Sequence, residues 1–415
     1  MFKKNNFKNR GFRPSSNRNG SNFGGKPNKF SHRGGSFNKR PNPYNSENLK
    51  HEMYISKAQP QETTQENIYD LDVTFFELGL HPRILRNITS RNYKNPTKIQ
   101  AQTIPSIIEG KDLLGLAATG SGKTGAFLIP VLSKLMSDPK KRCLIIAPTR
   151  ELVNQIQAEY KIFAEGTSVR DALVVGGASY APQIRLLSRN PQLVIATPGR
   201  LIDHYKSKKI NFADFDIIVL DEVDQMLDMG FINDIKLIIS NLKESRQSLF
   251  FSATMSPKIR EIAGSLLRNP VTIEIAKQSA AKNVEQNIVK INNSKGKVET
   301  LHELLAGLEY EKVLIFSKTK RGADDLAKAL QNKGHKVDAL HGDKSLGQRM
   351  RILSSFKSNE IEILIATDVA SRGIDIPNIS HVINYDEPAT YADYIHRIGR
   401  TGRIGRKGFA LTFVK

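Results

Sequence analysis

The eight residues Ala117-Ala118-Thr119-Gly120-Ser121-Gly122-Lys123-Thr124 have the make-up of a phosphate-binding loop. Small side chains free the backbone N–H groups to wrap a triphosphate, and a helix that starts at the loop's end adds a favourable field. Lys123 offers a point charge for the β- and γ-phosphates, and Thr124 offers a hydroxyl for Mg²⁺. The stricter form of this pattern has Gly where this chain has Ala117. Further along, the apolar run 215–220 reads as a strand buried on both faces, and it ends in Asp221-Glu222-Val223-Asp224. Carboxylates at the carboxyl end of such a strand stand where open α/β sheets bind their ligands. Asp221 is assigned to Mg²⁺, and Glu222 to orienting or deprotonating an attacking water. The plain alternatives are a Gly-rich turn that only starts a helix and an acidic strand end. Loop and acids together, at this separation, point to ATP hydrolysis.

A third polar cluster lies near the end of the sequence. His396-Arg397-Ile398-Gly399-Arg400-Thr401-Gly402-Arg403 is too rich in Arg and Gly for a core element. Arg400 and Arg403 are three residues apart, so one turn could present both to one target. If two domains close face to face, these side chains could reach phosphates held at Lys123. Such a finger stabilises transition-state charge and is worth about 10³–10⁵ in rate. The alternative is a basic surface turn that binds RNA or nothing.

The elements that must position these groups alternate between apolar strands and amphipathic helices. Strands are expected over 112–117, 143–148, 172–175, 193–196, 216–220, 248–252 and 271–275, with helices over 125–136, 151–163 and 231–242 among them. A polar linker is expected over 277–287. The alternation then resumes at 288–291, 312–316, 337–340, 361–366, 381–385 and 409–414. Two such arrays imply an α/β chain with two parallel-sheet domains in tandem, at 71–276 and 288–415, each with helices on both faces.

Composition narrows the partners. The chain has 415 residues and a formal net charge of +21, a balance that favours a polyanion. Residues 1–70 form a basic tail and lead-in rich in Asn, Gly, Arg and Phe. Positions 1–45 hold eleven Lys/Arg and no Asp or Glu. Such a stretch cannot bury enough apolar surface to offset chain entropy, so disorder is expected. Its spaced Phe rings could stack on bases. Cys143 is the single cysteine, so no internal disulfide forms and a reducing cytoplasm fits. No apolar stretch is long enough for a membrane span, and no hydrophobic segment follows the basic N-terminus as in a secretory signal. The histidines show no metal-ligand spacing.

From about Phe75 onward the sequence resembles the DEAD-box RNA helicases of superfamily 2, with the RhlE-like bacterial branch suggested by His341-Gly342-Asp343-Lys344-Ser345. Phe75, followed by Pro96-Thr97-Lys98-Ile99-Gln100, is similar to the adenine-recognising Q motif. The loop at 117–124 and the acids at 221–224 correspond to the Walker A and B motifs. Pro148-Thr149-Arg150-Glu151-Leu152, Gly176-Gly177 and Thr197-Pro198-Gly199-Arg200 match the motifs that hold RNA backbone. Ser252-Ala253-Thr254 matches the motif that couples hydrolysis to strand separation. Ile315 to Thr319, Gln348-Arg349 and Ala366 to Asp375 match motifs of the second domain.

The resemblance implies two RecA-like domains and an RNA-dependent ATPase that opens short RNA duplexes or remodels RNA–protein complexes, using ATP and Mg²⁺. It implies that Gln100 hydrogen-bonds the adenine edge, that Phe75 lies against the adenine ring, and that Asp375 reaches the ribose. Arg150, Gly177, Thr197, Arg200, Gln348, Arg349 and Thr367 are the implied RNA contacts, and recognition is largely independent of sequence. Asp224, Ser252, Thr254 and His396 are the implied coupling residues. Ribosome-assembly or RNA-decay partners are consistent with it. Four positions depart from the family pattern: Val223 in the acid box, Lys98 and Asn92 near the adenine side, and Leu346 where many relatives have Gln. A DNA translocase, or an RNA chaperone working through the tail alone, is the alternative of another kind.

Overall fold

The computed structural model describes residues 69–118, 120–275, 283–291, 294–371, 376, 378–402 and 406–414. Most of the basic tail, and with it the expectation of disorder, lies outside the described residues.

Short apolar runs become the strands of a first sheet: β1 (Leu113–Leu116), β2 (Cys143–Ile146), β3 (Asp171–Val174), β4 (Leu193–Ala196), β5 (Ile217–Leu220), β6 (Gln247–Ser252) and β7 (Val271–Glu274). All pairs are parallel, in the order β3-β4-β2-β5-β6-β1-β7. Strands β2, β4, β5 and β6 are buried at every position, as helices on both faces require. Phe250 and Phe251 show the two-layer core directly. They are neighbours on β6, point to opposite faces, and enter separate apolar clusters. The Phe251 ring fills the space over Gly115 in β1, where an added Cβ would lie 2.7 Å from it.

A second sheet comprises β8 (Val284–Lys290), β9 (Val313–Phe316), β10 (Val337–Leu340), β11 (Ile363–Ala366), β12 (His381–Asn384) and β13 (Gly408–Val414). Its order is β10-β11-β9-β12-β13-β8, again all parallel. Strand β8 begins at Val284, inside the span read as linker, because its backbone pairs along the whole of β13. Residues 276–282 lie outside the described residues.

Register brings the strand ends together. Leu116 of β1 pairs with Ser252 of β6, and Leu220 of β5 pairs with both Phe250 of β6 and Ile146 of β2. The carboxyl ends of β1, β5 and β6 therefore share one edge of the sheet. Among the described residues, no helix is long and apolar enough to cross a membrane.

Candidate active site

The loop after β1 is held from three sides. The Ala117 N–H donates to the Ser252 carbonyl at 3.1 Å, which anchors the loop to β6. Gly120 and Gly122 take φ of 83° and 95°, values that an L side chain rarely adopts. Gln100 packs against the far end of the loop. Its Nε2 donates to the Gly122 carbonyl at 3.0 Å, and its Oε1 accepts from the Thr97 N–H at 3.0 Å. A Cβ at Gly122 would lie 2.6 Å from Thr97 Oγ1, and one at Gly125 would lie 2.6 Å from Gln100 Nε2. Helix Lys123–Ser137 starts here, so Lys123 and Thr124 stand at its first turn. Lys123 is buried and its Nζ donates to the Ala117 carbonyl at 2.9 Å. Ala118 and Gly120 are exposed, Ser121 and Thr124 half-buried. Thr119 lies outside the described residues.

The departures near Gln100 have simple accommodations. Lys98 takes the first position of helix Lys98–Ile108, behind the Thr97 cap. Asn92 adopts φ 61°, a left-handed conformation that Asn tolerates where most side chains do not.

Phe75 is 1% exposed and belongs to the core cluster that contains Phe127 and Phe251. The short 3₁₀ turn Phe75–Leu78 explains this, because residues three apart point the same way and both Phe75 and Leu78 face inward. Phe76, the neighbour in sequence, is 71% exposed.

After β5 the acids are buried together. Asp221, Glu222 and Asp224 are 2%, 5% and 9% exposed. Glu222 sits at φ 53°, ψ 50°, as the N-cap of helix Val223–Asp228, and its N–H donates to Asp221 Oδ1 at 3.0 Å. Its Oε2 is buried and has no hydrogen-bond partner among the described residues. Burial pushes the Asp221 carboxyl up, while Lys123 pulls it back. Burial also pushes Glu222 up, and Asp221 adds to this; Lys123 and then Arg400 oppose it. Val223 is fully buried in the second core cluster. Asp224 joins the acids to β6: the Ala253 N–H and the Thr254 hydroxyl donate to its Oδ2 at 3.1 and 3.3 Å. The Ser252 hydroxyl in turn donates to the Thr254 carbonyl at 2.8 Å.

A second group surrounds the loop after β3. Gly177 has φ 74°, and the Arg150 guanidinium lies over it so closely that a Cβ would overlap Nη1. Arg200 reaches the same loop, donating from Nη1 to the Ala178 carbonyl at 2.9 Å, while its guanidinium stacks 4.1 Å from the Tyr180 ring centre. Thr197 caps helix Pro198–Lys206 and its N–H donates to the Val174 carbonyl at 3.0 Å. Arg150, Gly177, Thr197 and Arg200 thus converge on the ends of β2, β3 and β4.

The second sheet contributes less openly. Gln348 is exposed and its Oε1 accepts from the Ser345 N–H at 2.8 Å, closing a capping box on helix Leu346–Lys357. Arg349 is 8% exposed and faces the first lobe: its Nε donates to Glu151 Oε1 at 2.6 Å, and its Nη1 to the His341 carbonyl at 3.3 Å. Thr367 is half-buried at the end of β11, and His396 is half-buried on helix Tyr391–Ile398. Arg400 is buried and acts electrostatically on Glu222. Arg403 and Asp375 lie outside the described residues.

Two residues carry more than their sequence suggested. Arg397 grips Asp368 with two bonds of 2.6 and 2.7 Å, and also donates to Asn384 Oδ1 and the Asp386 carbonyl. Glu151 supplies the partner of Arg349 from the other lobe. The Arg-rich string contained Arg397, but nothing local distinguished it from its neighbours.

Comparison with known proteins extends this geometry. Residues 97–262 match the family model of the DEAD/DEAH box helicase, and residues 296–405 match that of the helicase conserved C-terminal domain. The ATP-dependent RNA helicase CshA of Listeria monocytogenes is 43% identical over 343 residues, which cover 82% of this chain and 66% of that protein. The DEAD-box ATP-dependent RNA helicase RhpA of Helicobacter pylori is 41% identical over 342 residues, covering 82% of this chain and 69% of its own length. The chain thus spans just under two thirds of the length of CshA. Among solved structures, S. cerevisiae Dbp5 bound to RNA and ADP BeF3 is similar with a TM-score of 0.73 at 34% identity, covering 82% of this chain and 89% of that one.

Proposed function

The chain belongs to the DEAD/DEAH box helicase family, and from that premise we propose that it hydrolyses ATP in response to RNA and uses the cycle to open short RNA duplexes or remodel RNA–protein complexes. The observation that carries this reading is the unpartnered, buried carboxylate oxygen of Glu222 beside Lys123, with Arg400 of the second lobe acting on it. A carboxylate so placed suits the positioning of an attacking water.

Each residue's part follows from its surroundings. Lys123 already points back over the loop to Ala117, and it would exchange that carbonyl for phosphate oxygens. Hard oxygen donors at Thr124 and Asp221 fit Mg²⁺. When bound, that ion would neutralise charge between the β- and γ-phosphates. Gln100 holds the loop's shape and stands on the adenine side of it. Arg400, with Arg403 as the second finger, would stabilise charge on the transferring phosphoryl group. RNA backbone would lie along Arg150, Gly177, Thr197 and Arg200, and continue past Gln348 and Thr367. Such contacts position a strand without reading its bases. Arg349, engaged by Glu151, would support closure of the lobes more than bind phosphate. The single buried thiol fits work in a reducing cytoplasm.

ATPase rates without nucleic acid, with RNA and with DNA of matched sequence test this. RNA should stimulate strongly and DNA weakly. Equal stimulation by both would favour a DNA translocase. Annealing activity without ATP, lost on removing residues 1–46, would favour a chaperone.

A further inference from the structure

We propose that Leu346 is a positioning residue for turnover: it forms an apolar contact across the boundary between the lobes that favours closure whether or not RNA is bound. The start of its helix is fixed, since Gln348 N–H donates to Ser345 Oγ at 3.3 Å while Gln348 Oε1 accepts from the Ser345 N–H. Residues three apart on a helix share a face, so Leu346 and Arg349 point together, whereas Gly347, Gln348 and Met350 are exposed.

The apolar residues of this helix divide between two cores. Ile352, Leu353 and Phe356 enter the second lobe's own cluster with Leu314 and Leu364. Leu346 instead packs against the first lobe's cluster. Beside it, Arg349 meets Glu151 in a buried ion pair of 2.6 Å. Glu151 follows Arg150, whose guanidinium covers Gly177. The Leu346 contact therefore lies next to the proposed RNA cradle, yet involves protein atoms alone. Being hydrocarbon, it is also indifferent to salt, unlike phosphate contacts.

An intrinsic contact of this kind raises the closed fraction in every ligand state. It raises RNA-independent ATPase and lowers the RNA concentration needed for stimulation, but leaves the rate of the closed complex unchanged. This inference rests on the proposed RNA-stimulated ATPase.

The experiment compares the full chain with Leu346→Asn, which is nearly isosteric and polar, and with Leu346→Met. Leu346→Asn should lower the RNA-free ATPase by about fivefold and raise the half-saturating RNA concentration by about the same factor, from the loss of part of one leucine's burial. The rate at saturating RNA should stay within about twofold, and Leu346→Met should behave as the parent. A purely structural role would lower the saturated rate instead. Unchanged RNA-free rate and RNA requirement in Leu346→Asn would overturn the proposal. Interlobe distance without nucleotide, measured by two-site labelling, keeps the two readings apart: it should lengthen in Leu346→Asn, and an unchanged distribution overturns the proposed contact even if the parent proves unresponsive to RNA. An unresponsive parent by itself would overturn the RNA-stimulated ATPase and not the contact.

Discussion

Glu222 combines three costs that rarely coincide in one residue: a left-handed backbone at φ 53°, near-complete burial, and an oxygen without a partner among the described residues. Local strain of this sort is of order 1–3 kcal/mol and persists where the surroundings over-determine it. Its pH consequences have a definite sign. Burial, with Asp221 beside it, raises the folded-state pKa above the ordinary Glu value, so the folded chain holds this proton more tightly than the unfolded chain. The resulting stability is complete below the ordinary carboxylate range and is lost as pH rises through the raised value. Near neutrality the ionised side chain therefore weakens the fold. Glu222→Gln should leave ATP and RNA binding intact, abolish turnover and raise stability by roughly 1–3 kcal/mol at neutral pH, seen as a higher Tm. Undiminished hydrolysis would remove Glu222 from the chemistry.

At the scale of elements, short connections tie strand ends into units. Asp224 links the turn after β5 to the turn after β6 through Ala253 and Thr254. Thr254→Val keeps the shape but removes the hydroxyl, so ATP hydrolysis should survive while duplex opening falls by tenfold or more in a strand-displacement assay. Arg397 does similar work in the second lobe, joining the ends of β11 and β12 to helix Tyr391–Ile398. Arg397→Lys cannot reproduce the fork to Asp368, which is about a third exposed, and should cost about 2–3 kcal/mol in denaturant unfolding. The strands themselves were legible in the sequence because runs such as Cys143-Leu144-Ile145-Ile146 are continuous and apolar, as burial on both faces demands. The phosphate loop and the acids were legible because their chemistry is local. The burial of Phe75 was not, because a 3₁₀ turn, and not composition, decides which of two adjacent Phe residues faces inward. Nor was the Arg349–Glu151 pair, whose members are 198 residues apart and meet only after both sheets have formed.

For the whole molecule, the buried Arg349–Glu151 pair is the polar counterpart of the Leu346 contact. Removing one partner strands the other charge, so Glu151→Gln and Arg349→Gln should each weaken RNA binding in the presence of an ATP analogue. The double variant should be less impaired than the sum of the two, with a coupling of about 1–3 kcal/mol in a double-mutant cycle; simple additivity would mean that the pair does not form during closure. The chain's only thiol bears on how such motion can be followed. Cys143 lies fully buried in the middle of a sheet, and burial pushes its thiol far up from the usual range, so maleimide reagents have nothing to attack. The native polypeptide is in effect silent to thiol chemistry. A dye pair can be installed on two surface sites without first deleting a natural cysteine, and opening can be watched one molecule at a time on an otherwise unaltered framework.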